Sequence, residues 1–347
     1  MSSPMDSNLA DAIAKLPTNQ HRKWIQRALD VISRLSETEL ERLDWKILTA
    51  SLEDLEQGFT TFSPYRHVRK IAIFGSARIE PDAPEYSMAV EFARKVTDLG
   101  FMVITGGGGG IMAAGNEGAG KDKSFGLNIK LPFEQGANSF IDRDSKLIDF
   151  KYFFTRKLFF LRESDAIALF PGGFGTQDEA FETLTLCQTG KYGPAPLVLI
   201  DKPEGDYWHT WNEYVCQHLV ARGLVSAEDP SLYTITDNLD VAVRAIRDFY
   251  LVYHSSRYVG KKFVIRTNCE LDDLFVEQLN QDFQDIVTQG EIEKTQALPE
   301  EKGDESESLP RLVFYFNQKS LGRLYQMIET INQANTMTPA EEHPEKK

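Results

Sequence analysis

Glu179 and Arg156 are the side chains whose types and surroundings could do chemistry. Glu179 ends the stretch Pro171-Gly172-Gly173-Phe174-Gly175-Thr176-Gln177-Asp178-Glu179, which closes the apolar run Ala166–Phe170. An apolar run ended by Pro-Gly-Gly, then Thr176 ahead of Asp178, Phe181 and Leu184, predicts a buried strand, a glycine turn and a helix that starts at Thr176. Glycines let a backbone approach a ligand closely, and the first amides of a helix lack internal partners. Gly172, Gly173, Gly175 and Thr176 are therefore expected to bind phosphate. No Lys-Ser/Thr pair follows the glycines, so the nucleoside triphosphate loop is absent. Asp178, expected in the first helical turn, can simply favour the helix dipole, an effect of ~0.3–1 kcal/mol. Glu179 is harder to explain that way: beside a phosphate turn a carboxylate is costly unless a cation or a polar hydroxyl offsets it. Arg156 and Lys157 open another expected helix against its dipole, which predicts that they face an anion or a carboxylate, although Lys157 could equally be solvated. Arginine pairs two-pronged with carboxylate or phosphate, so Arg156 is matched to Glu179 or to the substrate.

A second glycine turn, Gly106–Gly110, follows the apolar Phe101–Thr105 and precedes the helical Ile111–Glu117. Alone it is a weak signal. Two such turns ending adjacent parallel strands should converge, because open α/β sheets bind ligands beyond the carboxyl ends of their strands. Gly107, Gly108 and Gly109 are then further phosphate contacts, and Ser76 and Asn116 ribose or base contacts. Phe154-Thr155-Arg156-Lys157, Ser164-Asp165-Ala166, and Pro171 to Thr176 with Glu179 resemble the Arg-Lys and Pro-Gly-Gly-x-Gly-Thr-x-x-Glu signature of the LONELY GUY (LOG) family. The resemblance covers roughly residues 68–255. Where many members carry two glutamates after Gly-Thr-x, this chain has Asp178 and then Glu179.

The resemblance implies a phosphoribohydrolase that cuts a nucleoside 5′-monophosphate into free base and ribose 5-phosphate. The substrate would be an ordinary purine or pyrimidine nucleotide or a cytokinin riboside monophosphate. It also implies a homodimer or larger homo-oligomer with sites near the subunit contact. By analogy with glycoside hydrolysis, the ribosyl carbon becomes cation-like, and Glu179 could stabilise it, activate water or bond to it transiently. Arg156 would orient Glu179 and hold it ionised, or neutralise the leaving base. No cofactor or metal is called for. The competing reading is a non-catalytic nucleotide sensor or scaffold regulated through the carboxyl-terminal module. A Rossmann dehydrogenase is not supported, since Gly75-Ser76-Ala77 is not the Gly-x-Gly-x-x-Gly turn.

Composition narrows the class. The 347 residues carry a formal charge of −14 and 41% hydrophobic residues, which support a proper core and argue against nucleic acid or an anionic membrane as partner. Three separated cysteines, Cys187, Cys216 and Cys269, predict neither a disulfide framework nor a structural zinc and fit a reducing cytoplasm. No export signal or membrane span is expected. His209, His218 and His254 have no matched ligands and read as structural or surface residues.

The elements that must position the candidates read as an α/β fold: a Rossmann-like, doubly wound parallel sheet with a helical hairpin before it and a small α+β module after it. Strands are expected at 68–74, 101–105, 124–131, 147–153, 166–170, 196–200 and 233–235, with helices at 86–99, 208–224 and 239–253 between or after them. Residues 1–66 form the helical extension, with residues 1–20 frayed and a capping box Ser36-Glu37-Thr38-Glu39 opening its second helix. Residues 67–257 form the LOG-like domain. The module, 258–334, reads as β-α-β-β-α with a flexible acidic loop at 298–309, and 335–347 as a disordered tail.

Overall fold

The computed structural model describes residues 21–129 and 136–334. The expected frayed start at 1–20, the disordered tail at 335–347, and Lys130, Leu131 and Pro132 around the end of the third expected strand lie outside the described residues. The chain divides into two compact units after Glu53, within helix α2 (Arg42–Phe62). In the first unit, α1 (Arg22–Ser36) is amphipathic, with Trp24, Val31 and Ile32 exposed. Ser36 caps no second helix. It closes α1 by donating to the Ser33 carbonyl, and α2 opens later, where Asp44 Oδ2 accepts from the Glu41 amide.

The second unit holds a seven-stranded parallel sheet among the described residues. Its strands are β1 (Lys70–Phe74), β2 (Met102–Thr105), β3 (Ser124–Ile129), β4 (Leu147–Phe150), β5 (Ala166–Leu169), β6 (Leu197–Ile200) and β7 (Thr234–Thr236), in the order β4-β3-β2-β1-β5-β6-β7. The central strands β1, β2, β5 and β6 are buried throughout, as strands covered on both faces must be, while β4 and β7 at the edges are partly exposed. Alternation along β1 sends Ile71 and Ile73 to one face and Ala72 and Phe74 to the other. On the first face pack α3 (Pro84–Asp98), α4 (Ile111–Ala119) and α8 (Leu239–Phe249). On the second pack α5 (Phe153–Arg162), α6 (Phe174–Gln188), α7 (Tyr207–Tyr214) and the end of α2. The chain leaves β1 toward β4 on one side and returns as β5 on the other, so the topological switch lies between β1 and β5.

Three expectations are corrected here. The two glycine turns do not end adjacent strands: β2 and β5 flank β1. The helix expected over 208–224 is α7, followed by a π-helical turn at Val215–Val220. The helix expected over 239–253 ends at Phe249, and Tyr253 opens a strand, β8 (Tyr253–Val259), that crosses the boundary expected after residue 257. Its sequence, with His254, Ser255, Ser256 and Arg257 in succession, has little apolar alternation to betray a strand.

β8 pairs with β9 (Lys262–Thr267), and with β10 (Glu293–Thr295) and β11 (Arg311–Phe314) it forms an antiparallel sheet in the order β10-β11-β9-β8. One face packs on α9 (Asp273–Asp282) and α10 (Leu321–Gln333). The acidic loop, though mostly exposed, is anchored to the other face. Glu301 is fully buried, 2.6 Å from Arg266 Nη2 and 2.9 Å from Arg311 Nε. Burial works to raise the Glu301 pKa, but the Leu298 amide and both arginines outweigh it and hold the carboxyl below its ordinary range. Tyr325 of α10 lies against the end of α6, with its hydroxyl 3.5 Å from Cys187 Sγ. No helix among the described residues is long and apolar enough to cross a membrane.

Candidate active site

The carboxyl ends of β1, β2, β3 and β5 open on a cavity of about 730 Å³ at the switch point. Ser76, just past β1, binds both turns through its backbone: its amide donates to Pro171 O at 3.1 Å, and its carbonyl accepts from Ile111 N at 3.1 Å. Two glycines make this approach possible. A Cβ on Gly172 would overlap Thr176 Oγ1 and sit 2.9 Å from the Ser76 amide, and Gly110 has φ 58°, a left-handed conformation that disfavours other residues. Helix α6 begins at Phe174 with Gly173 as its N-cap and no side-chain cap. It therefore starts two residues before the expected Thr176, and Asp178 and Glu179 fall past its first turn. Its opening residues line the cavity, where the free amides of a helix start suit an anion.

Arg156 and Glu179 both line this cavity. Because α5 begins at Phe153, Arg156 and Lys157 sit just beyond its first turn instead of opening it. Arg156 Nε donates to Leu127 O of β3 at 2.7 Å, and its Nη2 lies so near the glycine turn that a Cβ on Gly106 would be 2.5 Å away. Burial pushes the Glu179 carboxyl up to about 7 from its ordinary 4.5; Lys157 and Arg156 pull it down, while Glu182 and Asp178 push it up. Arg156 thus favours the ionised form but does not hold Glu179 fully ionised at neutral pH, as the sequence reading expected. Lys157 sits apart from the cavity lining, 2.7 Å from both Asp178 Oδ2 and Glu182 Oε2. Burial opposes its charge, but these carboxylates raise its pKa overall. It joins α5 to α6.

Ser76, Gly108, Gly172, Gly173, Gly175 and Thr176 come together around the cavity. Gly107 and Asn116 do not. Asn116 is fully buried: its Oδ1 accepts from Thr105 Oγ1 at 2.8 Å and from Asn138 Nδ2 at 2.9 Å, and its Nδ2 donates to Phe125 O. Asn138 Nδ2 also reaches the Gly107 and Gly108 carbonyls. Asn116 therefore shapes the turn from behind, and Gly107 faces that support. Gly109 is exposed and does not line the cavity, although a Cβ on it would lie 3.3 Å from the carbonyl of the lining residue Ala77.

Several residues escaped the sequence reading. Asn128, from β3, lines the cavity and donates to Asp149 Oδ1 at 2.9 Å. Gln177 Nε2 donates to the Tyr207 hydroxyl at 2.6 Å, which donates to Gly172 O at 2.5 Å, so α7 holds the Pro-Gly-Gly turn. Asp54 of α2 accepts from the Lys151 and Tyr152 amides and from Thr155 at the start of α5. Among the described residues, no group of three or more His, Cys, Asp or Glu side chains is placed to hold a metal ion.

No curated protein matches the chain significantly. Similar solved structures include the molybdenum cofactor binding protein from Rippkaea orientalis (17% identity, 52% of this chain and 96% of that one, TM-score 0.38). The molybdenum cofactor carrier protein from Chlamydomonas reinhardtii (20%, 52% and 96%, TM-score 0.36) and DNA processing protein A from Helicobacter pylori (15%, 52% and 82%, TM-score 0.37) are others. These likenesses are too slight to carry inference about a ligand. Residues 110–246 match the family described as possible lysine decarboxylase, a stretch that runs from the end of the Gly106–Gly110 turn through Arg156 and Glu179 into α8. The α/β domain of this chain is accordingly a member of that family, the LOG family, with further segments on both sides.

Proposed function

We propose that the chain hydrolyses the N-glycosidic bond of a nucleoside 5′-monophosphate, giving free base and ribose 5-phosphate. The observation that carries this reading is that the glycine turn with the first residues of α6 and, one turn later, the half-buried Glu179 line the same cavity as Arg156. The amides of Gly172–Thr176, with Gly108 and Ser76, hold the 5′-phosphate, and that binding energy positions the ribose. As the base departs, positive charge grows on the ribosyl carbon, and the Glu179 carboxylate stabilises it in a site where burial strengthens electrostatics. Arg156 sets the charge balance around Glu179. The region from 67 to 257 is the catalytic part, and purine, pyrimidine and cytokinin riboside monophosphates are the candidate substrates. The exposed Phe153, Phe154, Leu158 and Phe174, beside the cavity, support a subunit contact there, as the family resemblance implies.

The test is to incubate purified protein with AMP, GMP, CMP, UMP, IMP and an isopentenyl-adenosine monophosphate and to follow base and ribose 5-phosphate. Base release that is lost in Glu179→Gln supports the reading. A second reading, a nucleotide sensor, is favoured by the contact of Tyr325 with Cys187 at the far end of the helix that carries Glu179. Tight binding of a nucleotide without release from any of the six would select it.

A further inference from the structure

Helix α5, which carries Arg156, has no cap of its own: Tyr152 at its N-cap makes no side-chain bond, and no acid lies in its first turn. The acceptor comes from Asp54, 97 to 101 residues earlier in the chain, on α2. Its carboxylate accepts from Lys151 N at 3.0 Å, Tyr152 N at 3.2 Å and Thr155 Oγ1 at 2.5 Å. Asp54 is 4% exposed and Thr155 2%, so these bonds are made out of water, where an unmatched carboxylate would be costly.

Four residues on, Gly58 lies so close to α5 that a Cβ would run into the Phe159 ring. Four further, Phe62 stacks on Phe125 of β3 with 4.5 Å between centroids. Asp54, Gly58 and Phe62 are the buried residues of α2, and this spacing puts them on one helix face. That seam presses α5 toward β3. Two strand positions beyond Phe125, the Leu127 carbonyl receives Arg156 Nε. Asp54 thus holds the residues just before Arg156, the Arg156 amide donates to the Tyr152 carbonyl, and Arg156 Nε is held by β3.

We propose that Asp54 is a positioning residue for the candidate site: it sets the start of α5 so that the Arg156 guanidinium lies against the Gly106 turn, on the cavity that Glu179 also lines. Asp54 lies outside the matched residues 110–246, so the second half of α2 is a working part of the site. The assignment rests on the reading of Arg156 given above.

The test uses the full chain with Asp54→Ala and Asp54→Asn, and reads two quantities: turnover, and proton exchange at Arg156 Nε by NMR, which does not depend on turnover. Asn keeps an oxygen acceptor suited to a helix start, whereas Ala does not. In the folded Ala variant kcat falls at least about tenfold while KM changes less than about threefold, the pattern of a group acting in the transition state. Its Arg156 Nε proton exchanges at least about tenfold faster, and Asn stays within about threefold of wild type on both counts. Wild-type exchange in the Ala variant overturns the proposal, as does equal damage from Asn, which would assign a charge effect instead of a cap. If Ala does not fold, Thr155→Val removes one of the bonds and leaves the seam intact; unchanged Arg156 exchange there also overturns it. Absence of base release by wild type would sink the phosphoribohydrolase reading, and the exchange measurement would still decide the role of Asp54.

Discussion

At the residue scale the account turns on the ionisation of Glu179. Its folded pKa is about 7 against an ordinary 4.5, so between those values the folded protein binds more protons than the unfolded chain. The stability this gives is fully present below pH 4.5 and is lost as pH rises through 7. Replacement by Gln, which does not ionise, removes that loss. Denaturant titrations should find Glu179→Gln more stable than wild type by roughly 3 kcal/mol at pH 8 and by roughly 1 kcal/mol at pH 5. Because the carboxylate is the proposed working form, kcat/KM should rise through pH ~7 and level off above it. A falling profile would make Glu179 an acid instead. Tyr207→Phe tests the far support of the phosphate turn: losing the bond to Gly172 should cost about 1 kcal/mol and raise KM about three- to tenfold, with kcat little changed.

At the element scale, the strand-turn-helix units were legible because each is contiguous: an apolar run, glycines, then helical periodicity. The starts of α5 and α6 were not, and both lie earlier than expected. Phe153, Phe154 and Phe174 look like strand or loop residues in isolation, and neither helix announces itself with a side-chain cap. The supports of the site were hidden for a related reason. Asp54 acts across 101 residues and Tyr207 across 35, and a single polar residue in a helical pattern looks like solvated surface. Asn116 misled in the opposite sense: beside five glycines it suggested a ligand contact, yet its partners are Thr105, Phe125 and Asn138. Gly172→Ala probes the close approach directly. Its Cβ would overlap Thr176 and crowd the Ser76 amide, so phosphate-dependent nucleotide binding should weaken at least about tenfold in calorimetry while the overall fold persists.

At the scale of the whole molecule, the carboxyl-terminal module is held to itself by a buried charge cluster and to the α/β fold by α10. Glu301→Gln would leave Arg266 and Arg311 buried with one carboxylate fewer, a loss of about 3–5 kcal/mol by analogy with other broken buried pairs. Calorimetry should then show the module unfolding before the parallel sheet. The module's four strands were only partly foreseen, because β8 hides its pattern in the polar run His254 to Arg257, whereas the parallel sheet was readable from its apolar strands. What joins these scales is one claim, that a nucleotide bound by its phosphate at the switch point is cut beside Glu179. The most direct measurement is the yield of free base and ribose 5-phosphate from the best-bound nucleoside monophosphate, with binding followed in the same samples, for wild type and Glu179→Gln. The account predicts equal amounts of the two products from wild type, and from Glu179→Gln comparable binding with release lowered at least about a hundredfold. Binding without release by wild type, or undiminished release by Glu179→Gln, would contradict it.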